Sequence, residues 1–427
     1  MDTEPDLEQI GFRLNTYQIS WMTAFLDLGN ISSPVLTCIL MKKIGRKKCL
    51  FLSALFFCVP ILFLVYQNVL SLYIARFSVG FAKGIALTTL PLYTSEVSDS
   101  RIRGTLVALA STFMYVGLLS TLFVGALVSL RTLTITLCIV PFIFMFLFSF
   151  VPESPYYLAS IMKLEDAKES LRWFRATDNV DDEFEAIVRK LEADMKESSS
   201  FLELFRNSCN RKALVLVIVT SSLQRLGGIT SLIVYAPKTF PETNIPILCP
   251  TNSSTILMVS IVVSAVTQYR LSDILGRKTL LALSSLGDCI ALVLMGVYFI
   301  LPLSDYSYSV YLFLILFGLS YSGVGSIPFM LVGELFPMNI RCQASSLSAV
   351  SMAAGSFLTN KFHLLLVTFA SASVITFIHA FFNFVMFVFT IKYVFETKCK
   401  TFEEIQHILE NTVRKKEIAN KGKEVRV

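Results

Sequence analysis

Charge is what this chain has least of. Acidic and basic side chains make up 16% of its 427 residues, hydrophobic ones 54%, and the mean hydropathy is +0.65. A soluble domain needs a charged shell to stay solvated, so the body of this molecule is not a water-soluble enzyme or binding protein. Histidine is scarce as well: His363, His379 and His407 are scattered, with no His-Glu metal motif and no paired carboxylate to support an intramembrane enzyme. No ring of charge or filter loop of an ion channel occurs. The nine cysteines fall mostly inside apolar runs (Cys38, Cys58, Cys138 and Cys289 among them) at neither metal-ligand nor disulfide spacing, which makes them small packing residues. The first eighteen residues are polar and acidic, unlike a cleavable leader. The net charge of +6 does not point to nucleic acid, because the bases sit in short clusters between apolar runs.

What the chain does have is long apolar runs, rich in Phe (36 residues). A helix needs roughly 20 mostly apolar residues to cross lipid hydrocarbon, where no water satisfies a frayed backbone. Eleven runs qualify, at 19–41, 49–66, 71–94, 105–128, 133–151, 213–236, 255–272, 279–301, 309–335, 345–366 and 369–395. The class is an all-α membrane protein, organised as 1–151 with five spans, a hydrophilic linker 152–212, a six-helix bundle 213–395 and a tail 396–427. In the linker, Leu164, Ala167, Leu171 and Phe174, then Phe184, Ile187 and Leu191, recur at helical spacing and predict short amphipathic helices. One set of short loops carries Lys42, Lys43, Arg46, Lys47, Lys48, Arg101, Arg103, Arg270, Arg277, Lys278 and Arg341, the other only Arg131, Lys238 and Lys361. The positive-inside rule places the first set, the linker and the C-terminal tail in the cytoplasm, and the N-terminus outside if the chain is complete.

Three landmarks occur twice in the same order. Gly-Arg-Lys stands at 45–47 and 276–278, Glu followed seven residues later by Arg at Glu96/Arg103 and Glu334/Arg341, and Glu153 is echoed by Glu396. The offsets of 231, 238 and 243 residues describe a parallel duplication with small insertions, a signature of transporter folds. Span 213–236 finds its first-half counterpart mostly ahead of Met1, so eleven spans read as twelve without the first. Either the sequence is a fragment of a longer chain or the protein is a truncated paralogue.

Ordered motifs then carry a family resemblance. Ile-Gly-Arg-Lys at 44–47, Ala-Arg-Phe-x-x-Gly at 75–80, Pro-Leu-Tyr-x-x-Glu at 91–96, Arg-Gly-Thr at 103–105 and Pro-Glu-Ser-Pro at 152–155 lie in the first half. Asp-x-x-Gly-Arg-Lys at 273–278, Ile-Pro-Phe-x-x-x-Gly-Glu-Leu-Phe-Pro at 327–337 and Glu-Thr-Lys-x-Lys-Thr-Phe-Glu-Glu-Ile at 396–405 lie in the second. From about Ser20 to Glu404 the chain resembles the sugar-porter branch of the major facilitator superfamily, most of all the insect facilitated trehalose transporters. The resemblance implies two pseudo-symmetric helix bundles and a plasma-membrane carrier of trehalose or a hexose. Such a carrier works by alternating access, facilitatively, as a monomer in the lipid bilayer and without a cofactor. It also implies two cytoplasmic gating clusters: Arg46, Glu96, Arg103 and Glu153 in one, Asp273, Arg277, Glu334, Arg341 and Glu396 in the other. The planar guanidinium fork suits carboxylates in such latches.

The sequence departs from that pattern in the cavity. Gln224 is retained, but Arg225 replaces a second amide and Thr230 an Asn. Phe329 stands where Trp is common, Met352 with Ala353 where Asn-Trp is common, and Ser111 or Thr112 where some members have Gln. These residues are the expected substrate lining, thinned of polar groups, and the competing reading is a non-transporting paralogue or sensor. Lys42 replaces the acid that Asp273 keeps, which should weaken the first cluster or pass its Arg to a partner such as Glu96. Asp27 and Lys83 lie at similar depth in different spans and are expected to pair, since intramembrane charges are costly and usually partnered. Asn252-Ser253-Ser254 is a glycosylation sequon in an outward loop.

Overall fold

The computed structural model describes residues 15–409 apart from 67, 100–102, 197–200, 244, 246, 302–305, 399 and 401–403. The first half comprises α1 (Thr16–Ile44), α2 (Arg46–Cys58), α3 (Ile61–Tyr66), α4 (Val69–Val97), α5 (Arg103–Leu127) and α6 (Leu130–Ser149). The linker folds as α7 (Pro155–Ser160), α8 (Leu164–Arg175), α9 (Asp181–Lys196) and α10 (Glu203–Arg206). Then come α11 (Ser208–Leu226), α12 (Ile229–Thr239), α13 (Ser253–Leu275), α14 (Arg277–Ile300), α15 (Ser309–Ser320), α16 (Ser322–Leu335), α17 (Met338–Phe369) and α18 (Ala372–Tyr393).

The helices are inside-out relative to those of a soluble protein. On α1 the buried side chains include Ser20, Ala24, Asp27, Asn30, Ser33 and Thr37, recurring every three to four residues, with Cys38 and Met41 beyond them, while Leu36 and Ile39 are exposed. Helix α6 goes further: Val140, Phe142, Phe146 and Leu147 are all more than half exposed. Apolar surface on that scale is stable only against hydrocarbon. Eight helical segments among the described residues are long and apolar enough to cross a membrane. The other three expected spans fall on α2–α3, interrupted at Val59–Pro60, on α5, whose apolar part is Thr112–Leu127, and on the more polar α17. The count of eleven spans is therefore not reproduced by length and composition, although each expected run is helical.

Small residues set the tightest packing. A Cβ on Gly80 would lie 1.8 Å from the Leu26 carbonyl oxygen, and one on Gly29 would lie 2.1 Å from that of Phe77, so α1 and α4 meet backbone to backbone. In the second half a continuous apolar core runs through Leu257, Leu281, Leu292, Tyr311, Phe317 and Phe336, and Ile405 and Leu409 of the tail return to join it. The linker has its own small core of Leu171, Val180 and Ile187. Arg175 pairs with Glu183 at 2.6 Å and donates to the Val97 carbonyl at 3.0 Å, tying α8 to the end of α4.

Gly80→Val should drive α1 from α4, because overpacking against backbone cannot relax by a rotamer change and costs at least about 1–3 kcal/mol. The midpoint of thermal unfolding of the detergent-purified chain should fall, whereas Leu90→Val, at an exposed position of α4, should leave it nearly unchanged. Equal midpoints would contradict the close packing.

Candidate functional site

At Gly45 the chain turns from α1 directly into α2 with φ of 92°. A left-handed residue there leaves the first amides of α2 without a side-chain cap. Glu153, more than a hundred residues on, supplies one: its carboxylate accepts from the Arg46 amide at 3.2 Å and from the Lys47 amide at 3.0 Å. A negative charge at a helix N-terminus also meets the positive end of the helix dipole. Glycine is required here, since a Cβ would sit 2.3 Å from the same carboxylate. The Arg46 guanidinium then reaches Glu96 of α4 at 2.8 Å, with its Nε at 3.2 Å. Ser154 donates to the other Glu96 oxygen at 2.5 Å, and Lys47 caps α6 through the Ser149 carbonyl at 2.8 Å.

The second half repeats this arrangement. Gly276 has φ of 83° between α13 and α14, and the Arg277 and Lys278 amides donate to Glu396 at 2.8 and 3.1 Å. The Arg277 Nε meets Glu334 at 3.2 Å and Lys278 donates to the Ile391 carbonyl of α18 at 3.0 Å. Asp273 adds a contact to Arg277 at 3.6 Å. The two clusters differ around the second glutamate: Arg46 reaches Glu96 through both Nε and Nη2, Arg277 reaches Glu334 through Nε. Glu334 Oε2 and the hydroxyl of Thr397, the counterpart of Ser154, are both buried without a partner. Glu334 is also 25% exposed where Glu96 is 4% exposed. Lys42 in place of an acid does not loosen the first cluster, because Glu96 takes both the Arg46 guanidinium and the Ser154 hydroxyl.

Arg341 donates to the Phe336 carbonyl at 3.0 Å, and it is Arg277 that takes Glu334. Arg103 and Ser111 lie on α5 with side chains outside the described residues. Both clusters lie within their own half, joining helix ends rather than bridging the two halves.

The expected cavity residues gather where helices break. Gly227 and Gly228 separate α11 from α12, and side chains of α18 satisfy the freed carbonyls: His379 bonds Leu226 at 2.8 Å and Asn383 bonds Gly227 at 3.0 Å. Arg225 ends α11 there, its Nη2 3.2 Å from the Met352 sulfur of α17. Gln224 is buried and donates to the Gly325 carbonyl at 2.9 Å, and the Thr230 hydroxyl meets that of Thr359 at 3.2 Å. Phe329 is half-buried on α16. Asp27 and Lys83 do not make the expected direct pair: no ion pair within 4.0 Å joins them among the described residues, and Asp27 accepts from Asn360 of α17 at 2.8 Å. Asn360 had no motif to betray it. Asn252 is half-buried, and the Ser254 hydroxyl of its sequon is committed to the Ile233 carbonyl at 2.6 Å.

Residues 3–409 match the model of a family described as sugar (and other) transporter. The chain belongs to the sugar transporter family. Among members of that family it is 27% identical to a facilitated trehalose transporter of Apis mellifera ligustica, over 95% of this chain and 82% of that one. It is 29% identical to a sugar transporter ERD6-like 10 of Arabidopsis thaliana, over 93% and 88%. Its fold is that of the major facilitator superfamily. The proton:xylose symporter XylE bound to 6-bromo-6-deoxy-D-glucose superposes with a TM-score of 0.76 at 20% identity, covering 95% of this chain and 92% of that one. The partially occluded inward-open form of the E. coli protein gives 0.77 at 19% identity, over 92% and 93%. Sugar transporters move solutes and are not enzymes.

The difference between Ser154 and Thr397 is measurable. Ser154→Ala strands a buried Glu96 oxygen and should cost about 1–3 kcal/mol. Thr397→Ala, which removes a hydroxyl that bonds nothing, should cost under about 1 kcal/mol. Denaturant titration of the two purified variants gives the comparison, and equal losses would refute the asymmetry.

Proposed function

We propose that the chain is a facilitative carrier of trehalose or a hexose, acting by alternating access as a monomer in the plasma membrane. The linker and C-terminal tail would then face the cytoplasm. The observation that carries the reading is the doubled cluster. Each half has its helix ends fixed to one another by a glutamate cap and an Arg–Glu pair, which lets a half move as one body. Between the halves the described contacts include no Arg–Glu pair, although Asn360 donates to Asp27 at 2.8 Å and Lys361 lies over the Trp21 ring. Ser20 donates to the Lys361 carbonyl at 3.0 Å, Thr23 meets Tyr235 at 3.1 Å, and Cys38 touches Cys342. Neutral hydrogen bonds and a thiol contact of this kind break and re-form more readily than a network of buried charge. The names of the trehalose transporters among the relatives support the choice of solute, and the apolar outer faces of α1 and α6 support the bilayer.

Radiolabelled trehalose and glucose uptake in oocytes tests this directly. Saturable uptake of one of them above water-injected controls is expected, and Glu334→Gln should slow it several-fold with surface expression near normal. Uptake at the control level by a chain present at the surface would reject the carrier reading, and unchanged flux in the variant would reject the role of the cluster.

A further inference from the structure

Charge at the centre of the molecule does not balance. Lys83 of α4 has neither an ion-pair partner within 4.0 Å nor a hydrogen bond among the described residues. Arg225 has a buried Nε with no partner, and its Nη2 faces the Met352 thioether, a weak acceptor. Asp27 is the carboxylate of the group, and one of its oxygens is taken by Asn360. The three lie on α1, α4 and α11 within electrostatic range of one another. Arg76, Lys361 and Asp288 are also charged and inward, but none is among the charges that act on Asp27 or Lys83, and Lys361 Nζ and Asp288 Oδ2 have no hydrogen-bond partner. Lys361 rests 3.9 Å above the Trp21 ring, and Asp288 accepts from Ser320 at 2.5 Å.

The sum is two cations against one anion in a region of low dielectric, where an uncompensated charge is strongly disfavoured. The C-terminal dipole of α11 offsets part of the charge on Arg225 but none of that on Lys83. A neutral solute leaves the imbalance in place and a dianion reverses it; a single carboxylate closes it. The guanidinium fork matches a carboxylate in shape, while Thr230 and the nearby Tyr115 and Tyr321 supply hydroxyls for a sugar ring.

We infer that Lys83, Arg225 and Asp27 together select a sugar carrying one carboxylate, such as a hexuronate, over a neutral sugar of the same size. This rests on the reading of the chain as a sugar carrier and narrows the class of solute.

Uptake of labelled glucuronate and of labelled glucose into oocytes expressing the full chain, at pH 7.4, provides the test. Binding of the same two compounds to the purified protein is a second measurement that needs no turnover. Glucuronate should be preferred at least about tenfold, the size of effect a charged hydrogen bond gives. Arg225→Gln should abolish the preference and Arg225→Lys should keep most of it, with surface biotinylation reporting the amount of each variant. Glucose uptake that glucuronate neither competes with nor exceeds overturns the inference and leaves the carrier reading standing. Preference for the dianionic glucose 6-phosphate overturns the charge match. Neither binding nor uptake of any of these sugars, by protein present at the surface, overturns the inference and the carrier reading together.

Discussion

A carboxylate capping the start of a helix that is remote from it in sequence fixes the geometry of each half. Where α1 turns into α2, and α13 into α14, a left-handed glycine reverses the chain in a single residue, which leaves the new helix with bare amides at its first turn. Glu153 and Glu396 reach in to take them. Because each glutamate belongs to the segment that follows the last helix of its half, the cap closes the half upon itself. The neighbouring arginine then draws in a third helix through Glu96 or Glu334. Three stretches that the sequence keeps about fifty residues apart thereby end at one level, and that level sets the depth of every residue further along α1, α4, α14 and α16.

Halves that are each tied by their own ion pairs follow from this. The ion pairs are spent inside each half, and α1 and α4 are pressed together at glycines with no room for a side chain between them. Across the seam, α1 meets α12 and α17 through hydroxyls, a carbonyl, a thiol, the Asp27–Asn360 bond and the Lys361 ammonium over Tyr17 and Trp21. Such contacts can be exchanged for others at similar energy, which is what a carrier that presents its site alternately to two sides requires.

The break between α11 and α12 does for the site what the glycine turns do for the ends. Two glycines interrupt the ladder, His379 and Asn383 of α18 satisfy the carbonyls so released, and Arg225 is left at the end of a half-helix facing α17. The polar lining is thin, as the substitutions at Thr230, Phe329 and Met352 imply, and the field there is dominated by charge instead of by amides.

Much of this was legible in the sequence for simple reasons. Hydrocarbon tolerates few charges and no bare backbone, so apolar runs announce helices. A duplicated chain repeats its landmarks, so Glu96, Glu153 and Arg46 could be matched with Glu334, Glu396 and Arg277 before any coordinate was known. The family followed from the order of those motifs. What the sequence left open was which atom meets which. That Glu153 would cap amides while Glu96 takes the guanidinium, that Arg341 would turn to a carbonyl, and that Asp27 would take Asn360 rather than Lys83 all depend on positions in different helices. Periodicity places a residue on the face of its own helix, but the partner on the next one is set by crossing angle and depth, and those are properties of the packed bundle alone.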